Sequence, residues 1–487
     1  PLARSKYTYL RTYMQSQRHG PNSWRRQPPT HPSRLRTAPL PLLELRRQAL
    51  MRATGSLLAQ SARRLGAGRA ALSIPFGINT RPRWLVQARG SNPRRAAAAR
   101  GVASTRAAEL SRAGRLPRMK DEYEELNSDG AVATVNDFVM DCGRSLQKAE
   151  LCYQTWGSLN DSCDNVIVVC HALTGNANVG SWWKELVGPN KPIDTNKYFV
   201  FCANVLGGCY GSSGPCSISP ETGRRYGMDF PPVTIRDMVR LTECALLELG
   251  VRGVAAAVGG SMGGMQALEF ALEPRQLRAK SVISLCSSGR HQPWQIGISE
   301  CQRQAIFADP LWMEGRYDPE RPPARGLSVA RMMAMVTYRT HPGYWTKFGR
   351  GRSRRAVGQE AQELEKYDVE NYLVYQGAAF NRRGFDAASY VLLTRAMDSH
   401  DISRGRGDYF EVLQGITAPV LVVSISSDVL YPVSEQLELA SSLLRGQHHL
   451  IQSEEGHDGF LLEHEKVGTL VRGFLGQLEA NAQKPKL

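Results

Sequence analysis

The stretch VAAAVGGSMGGMQALEFALE, residues 254–273, constrains the fold of this chain more than any other. A run of small apolar residues (254–260) reads as a buried strand. It passes through four glycines packed around one serine into a helical segment at 265–273. Continuous apolar runs elsewhere follow the same rhythm. NVIVVC (165–170) and YFVFCANVL (198–206) read as buried parallel strands, and 279–287, APVLVVSIS (418–426) and HHLIQSEEGH (448–457) also follow a strand pattern. Between them TIRDMVRLTECALLELG (234–250) reads as a helix opened by Thr234 and closed by Gly250. Alternation of this kind predicts an α/β fold with a mostly parallel, doubly wound sheet.

Residues 259–263, Gly-Gly-Ser-Met-Gly, fit G-x-S-x-G between strand and helix, the context of a nucleophile elbow. Phosphate binding fails on detail. No lysine follows for a P-loop, and the glycine spacing is not that of a dinucleotide fingerprint. A serine hydroxyl needs a base and the base an orienting acid, in the chain order Ser, Asp or Glu, His for an α/β-hydrolase fold. Asp428 in SISSDVLYP and His457 in SEEGHDGF follow two successive predicted strands in that order. Ser261, Asp428 and His457 are therefore the expected catalytic triad. The oxyanion hole should use the N–H of Met262 and that of Leu173, in the loop CHALTGNA (170–177). His171 in that loop is read as structural rather than as a base.

The rhythm breaks between 292 and 405. Here no strand is evident, and GLSVARMMAMVTYRT and AASYVLLTRAMDSH are helical, separated by a charged connector at 349–372. This predicts a helical cap, residues 292–405, inserted into an α/β-hydrolase core formed by 130–291 and 406–480. Residues 1–118 hold 23 arginines and one lysine against two acids, Glu44 and Glu109, a net +22 that leaves 119–487 at −6 within a whole-chain charge of +16. The excess basicity thus sits in a tail and not on a folded face, which argues against nucleic-acid binding. Its Arg, Ala, Ser and Pro content resembles a transit peptide, best in MRATGSLLAQSARRLGAGRAAL from Met51, and an organelle (mitochondrion or plastid) is expected, with the cytoplasm as the alternative. No run of 18 apolar residues suggests a membrane span. Cys202, Cys209 and Cys216, spaced by seven, lack clustered histidines, so neither a metal site nor a disulfide framework is expected.

With these motifs in place, the chain resembles the homoserine O-acetyltransferases of methionine biosynthesis, the MetX-type acyltransferases. The resemblance rests on HALTG, NVLGGCYGSSGP, TIRDMV, GGSMGGMQALE, ARMMAMVTYR, FNRRGFDAASYVLLTRAMDSHD and EEGHDGF, in family order across roughly 135–475. It implies a ping-pong transfer in which Ser261 takes an acetyl group from acetyl-CoA, a co-substrate rather than a bound cofactor, and passes it to L-homoserine. It also implies that Arg331 and Asp458 bind the amino acid's carboxylate and ammonium, and that the cap helices form a homodimer. A serine or homoserine O-succinyltransferase of the same family and a plain esterase are the alternatives.

Overall fold

Strand β3 (Val166–Cys170) sets the layering. Val166, Val168 and Cys170 enter one buried cluster and Ile167 and Val169 the other, because successive side chains point to opposite faces. The computed structural model describes residues 130–353 and 366–482; the basic segment 1–118 lies outside the described residues. The other strands are β1 (Ala131–Val139), β2 (Ser145–Trp156), β4 (Phe199–Ala203), β5 (Val254–Gly260), β6 (Val282–Leu285), β7 (Val420–Ile425) and β8 (Gly446–Ile451). Their order across the sheet is β1-β2-β4-β3-β5-β6-β7-β8. From β4 to β8 all neighbours are parallel, whereas β1 pairs antiparallel with β2 and β2 antiparallel with β4.

Helices α1 (Ile235–Glu248) and α2 (Met262–Glu269) cover one face with Met238, Leu241, Met265 and Leu268. Beyond the cap, α10 (His464–Ala482) covers the other with Val467, Val471 and Phe474. Thr234 opens α1 with a capping box completed by Asp237, and Gly250 follows its end at φ 81°.

Two features differ from the sequence reading. The β1–β2 hairpin was not foreseen: its half-buried, alternating residues carry no continuous apolar run. Helix α2 starts at Met262, directly after the serine, although glycines at 263 and 264 argue for a loop. Tertiary contact overrides propensity here, since a Cβ on Gly264 would lie 2.5 Å from that of Ser287.

The segment between β6 and β7 carries α3 (Pro293–Phe307), α4 (Ala324–Tyr338), α5 (His341–Phe348), α6 (Asp368–Arg382), α7 (Ala387–Asp398) and the short α8 (Tyr409–Gln414). Contrary to the strand-free expectation for 292–405, Arg352–Ser353 pairs antiparallel with Lys366–Tyr367 inside the charged connector, and α6 already begins at Asp368. Two residues per strand are too few to register as a pattern in sequence. Between β7 and β8 lies α9 (Val433–Ser442).

A buried ion network ties the return from this helical segment to α1 and α2. Arg236 of α1 approaches Glu269 of α2 at 3.2 Å, and Arg406 reaches the other oxygen of Glu269 at 2.8 Å. Arg240 joins Glu273 and Asp141 at 3.1 Å each. Removing one partner of such a cluster strands the others without counter-charge. Glu269→Ala is therefore expected to lower stability by about 3–5 kcal/mol, measured as a fall in the denaturant midpoint; a loss below about 1 kcal/mol would show that the network is dispensable.

Candidate functional site

Ser261 sits between β5 and α2 at φ 57°, ψ −125°, a conformation that costs an L-residue about 1–3 kcal/mol. Its neighbours explain how the turn closes. A Cβ on Gly259 would lie 2.8 Å from the Cys170 carbonyl oxygen and overlap the Gly263 backbone, and one on Gly263 would overlap the Cys170 carbonyl. The Ser261 N–H donates to Leu285 O at 2.9 Å, and Ser287 Oγ donates to Ser261 O at 2.8 Å. The elbow is thus pinned from both sides by the end of β6.

His457 lies in the 3-10 turn Gly456–Asp458 that follows β8, and its Nδ1 donates to Asp428 Oδ2 at 2.8 Å. The other carboxylate oxygen accepts the N–H groups of Leu430 (2.8 Å) and Tyr431 (2.9 Å). With Nδ1 committed to Asp428, the lone pair of the imidazole is on Nε2. Among the described residues no hydrogen bond joins Ser261 Oγ to that nitrogen. Phe460 overlaps the place a Gly260 Cβ would take and meets the His457 ring at 5.5 Å. In unliganded sites this link is often long and tightens with substrate. Tyr431 and Tyr338 flank the imidazole at 5.2 and 5.6 Å.

Leu173 lies in the loop after β3, which His171 braces: Nδ1 donates to Ala172 O at 2.8 Å, while Nε2 accepts the Val205 N–H at 3.2 Å. Both ring nitrogens are occupied, so His171 holds the loop. The N–H groups of Leu173 and Met262 have no acceptor among the described residues.

Arg331, on α4, lies against the rings of Phe380 (5.2 Å) and Tyr338 (5.7 Å), with no acid within ion-pair distance among the described residues. Asp458 is placed next to His457; burial raises its carboxyl above the usual carboxylate range, while Arg339, His457 and Arg331 pull it back. Its Oδ2 lies 3.2 Å from Arg339 Nε. Arg339, Tyr338, Tyr431 and Phe460 were not anticipated from sequence. Tyr338, seven residues beyond Arg331 on the same helix face, was open to discovery through helical spacing; the others depend on loops that meet only in the fold.

A strained serine after the central strand and a His–Asp pair on the next strand ends define an α/β-hydrolase-fold protein, and residues 165–464 match the model of that fold family. Within it the chain belongs to the homoserine O-acetyltransferase family. It is 48% identical over 364 residues to the homoserine O-acetyltransferase of Chloroherpeton thalassium, covering 74% of this chain and 93% of the relative. Among solved structures it is similar to the homoserine O-acetyltransferase from Bacillus anthracis, with a TM-score of 0.64, 26% identity, and 71% of this chain and 96% of that one covered. An esterase mutant gives a TM-score of 0.65 at 25% identity, covering 71% and 98%. The fold expected from sequence is borne out.

Burial pushes His171 down to about 4 from an ordinary 6.5, and His400 to about 3. Unfolded histidines take up protons that the native ones refuse, so their contribution is complete above pH 6.5 and is lost as pH falls through 4. Denaturation across pH 4–7 should show stability falling towards acid, and His171→Gln should remove up to about 3 kcal/mol of that dependence. An unaltered slope would show that His171 titrates normally.

Proposed function

We propose that the protein is a homoserine O-acetyltransferase that works through an acetyl-serine intermediate. The reading rests above all on Ser261 held at φ 57° in an elbow beside the His457–Asp428 bond; the name of the relatives supplies the substrates. Ser261 Oγ attacks the thioester carbonyl of acetyl-CoA while His457 Nε2 takes its proton. The oxyanion is received by the N–H groups of Leu173 and Met262. Collapse breaks the C–S bond, and the proton passes to the departing coenzyme A sulfur. The homoserine hydroxyl then yields its proton to His457 and attacks the acetyl-serine, and collapse returns the proton to Ser261 Oγ. Asp428 orients the imidazole throughout.

Transfer to an amino acid rather than to water needs a cation for its carboxylate and an anion for its ammonium. Arg331, aromatic-lined and without an acidic partner among the described residues, and Asp458 are assigned those roles. A homodimer through the cap is supported by Val329 and Val336 on α4 and Val374 and Tyr375 on α6, large apolar side chains left exposed. We read segment 1–118 as an organelle transit peptide.

Coenzyme A release from acetyl-CoA and from succinyl-CoA, each offered with homoserine and with serine, tests the reading. Acetyl-CoA with homoserine should be fastest, by about tenfold or more, and Ser261→Ala should lower it by about 10³-fold or more. Release unaffected by either acceptor, with ready cleavage of simple esters, would make the protein an esterase instead, a reading the esterase likeness favours. Fastest release from succinyl-CoA would make it an O-succinyltransferase.

A further inference from the structure

One arginine joins the cap helix that carries Arg331 to the turn that carries His457. Arg339 follows α4 in extended conformation, φ −113°, ψ −178°. Its guanidinium lies 3.2 Å from Asp458 Oδ2 and pairs with Glu455. Around it the two segments interlock. Thr340 Oγ1 donates to the Glu454 carbonyl. Gly456, at φ 68°, lets the turn approach so closely that a Cβ there would stand 2.8 Å from the Tyr338 carbonyl oxygen. The end of α4 and residues 454–458 are therefore tied by a hydrogen bond, an ion pair and close backbone contact.

Asp458 needs such a partner. It is largely buried and adjacent in sequence to His457, which becomes a cation when it takes a proton. A loose carboxylate there would compete with Asp428 for the imidazolium, or would lose its charge to burial. Arg339 stands 3.2 Å from Oδ2, and Oδ1 has no hydrogen-bond partner among the described residues. Arg331 stands eight residues earlier, on α4. We propose that Arg339 is the positioning residue for the acceptor's ammonium: paired with Asp458 at 3.2 Å, it holds that carboxylate in place to receive the ammonium. The inference rests on the acyl-transfer reading above. A planar guanidinium reaches Asp458 and Glu455 at once, which a lysine ammonium does not reproduce.

The test uses the full chain with Arg339→Lys and Arg339→Gln. The coenzyme A burst on mixing with acetyl-CoA alone reports formation of the acetyl-serine; steady-state turnover with homoserine reports the acceptor. KM for homoserine should rise by about tenfold or more in Arg339→Gln and less in Arg339→Lys, while burst rate and amplitude stay within about twofold. In an Arg339→Gln, Asp458→Asn cycle the second substitution should add little to KM once the first is made. Burst and turnover falling together with the melting temperature would reduce Arg339 to a structural tie and overturn the proposal. So would an unchanged KM. If Arg339→Gln does not fold, the same split in Arg339→Lys decides the matter. A missing burst in the unaltered enzyme would overturn the acyl-transfer reading itself, and the proposal with it.

Discussion

The approach of the elbow to the carbonyl of Cys170 is the contact on which the rest of the site depends. Strand β5 must turn into α2 within a single residue while lying directly beside the end of β3. Side chains at 259 and 263 would occupy the same volume as that carbonyl. Glycine at both positions removes the obstruction, and the strain is then concentrated on Ser261. The same approach sets His171, at the start of the loop after β3, against the first turn of α2, where unpaired N–H groups and the helix dipole favour developing negative charge. The turn and the position of Ser261 between strand and helix are thus consequences of one packing requirement.

The sheet order then distributes the remaining groups. Strands β5, β6, β7 and β8 are successive neighbours, so the loops leaving β7 and β8 carry Asp428 and His457 to the same end of the sheet as Ser261. Asp428 is held by two backbone N–H groups of its own loop, and that loop is gripped by the first cap helix through Trp294, whose Nε1 donates to Val429 O at 2.8 Å, and through Gln295, whose Nε2 donates to Leu430 O at 2.8 Å. At the other side α4 fastens the His457 turn. The helical segment therefore fixes both loops, the one that bears Asp428 and the one that bears His457.

Legibility from sequence followed the range of the interaction. The elbow was readable because strand, glycines and helix are contiguous, and the order Ser261, Asp428, His457 was readable because each follows its own apolar strand. His171 was readable as a structural residue only through its place in the loop, and its two hydrogen bonds give the reason. The β1–β2 hairpin escaped notice because a half-exposed strand alternates and offers no continuous run. Arg339 escaped because nothing local distinguishes it from a solvated helix-end arginine. Its partners Asp458 and Glu455 lie more than a hundred residues onward and reach it only through the fold.

By itself, then, the sequence determined the alternation that winds the sheet, the small residues that let the chain turn at Ser261, and the order Ser261, Asp428, His457 along successive strand ends. These are properties of short segments, set by periodicity and by the volume a side chain occupies. Tertiary structure alone decided which arginine faces which carboxylate, which nitrogen of His457 faces Asp428, and how the cap grips the two loops. Those outcomes depend on distances between segments remote in sequence, and electrostatic pairing is settled by such distances.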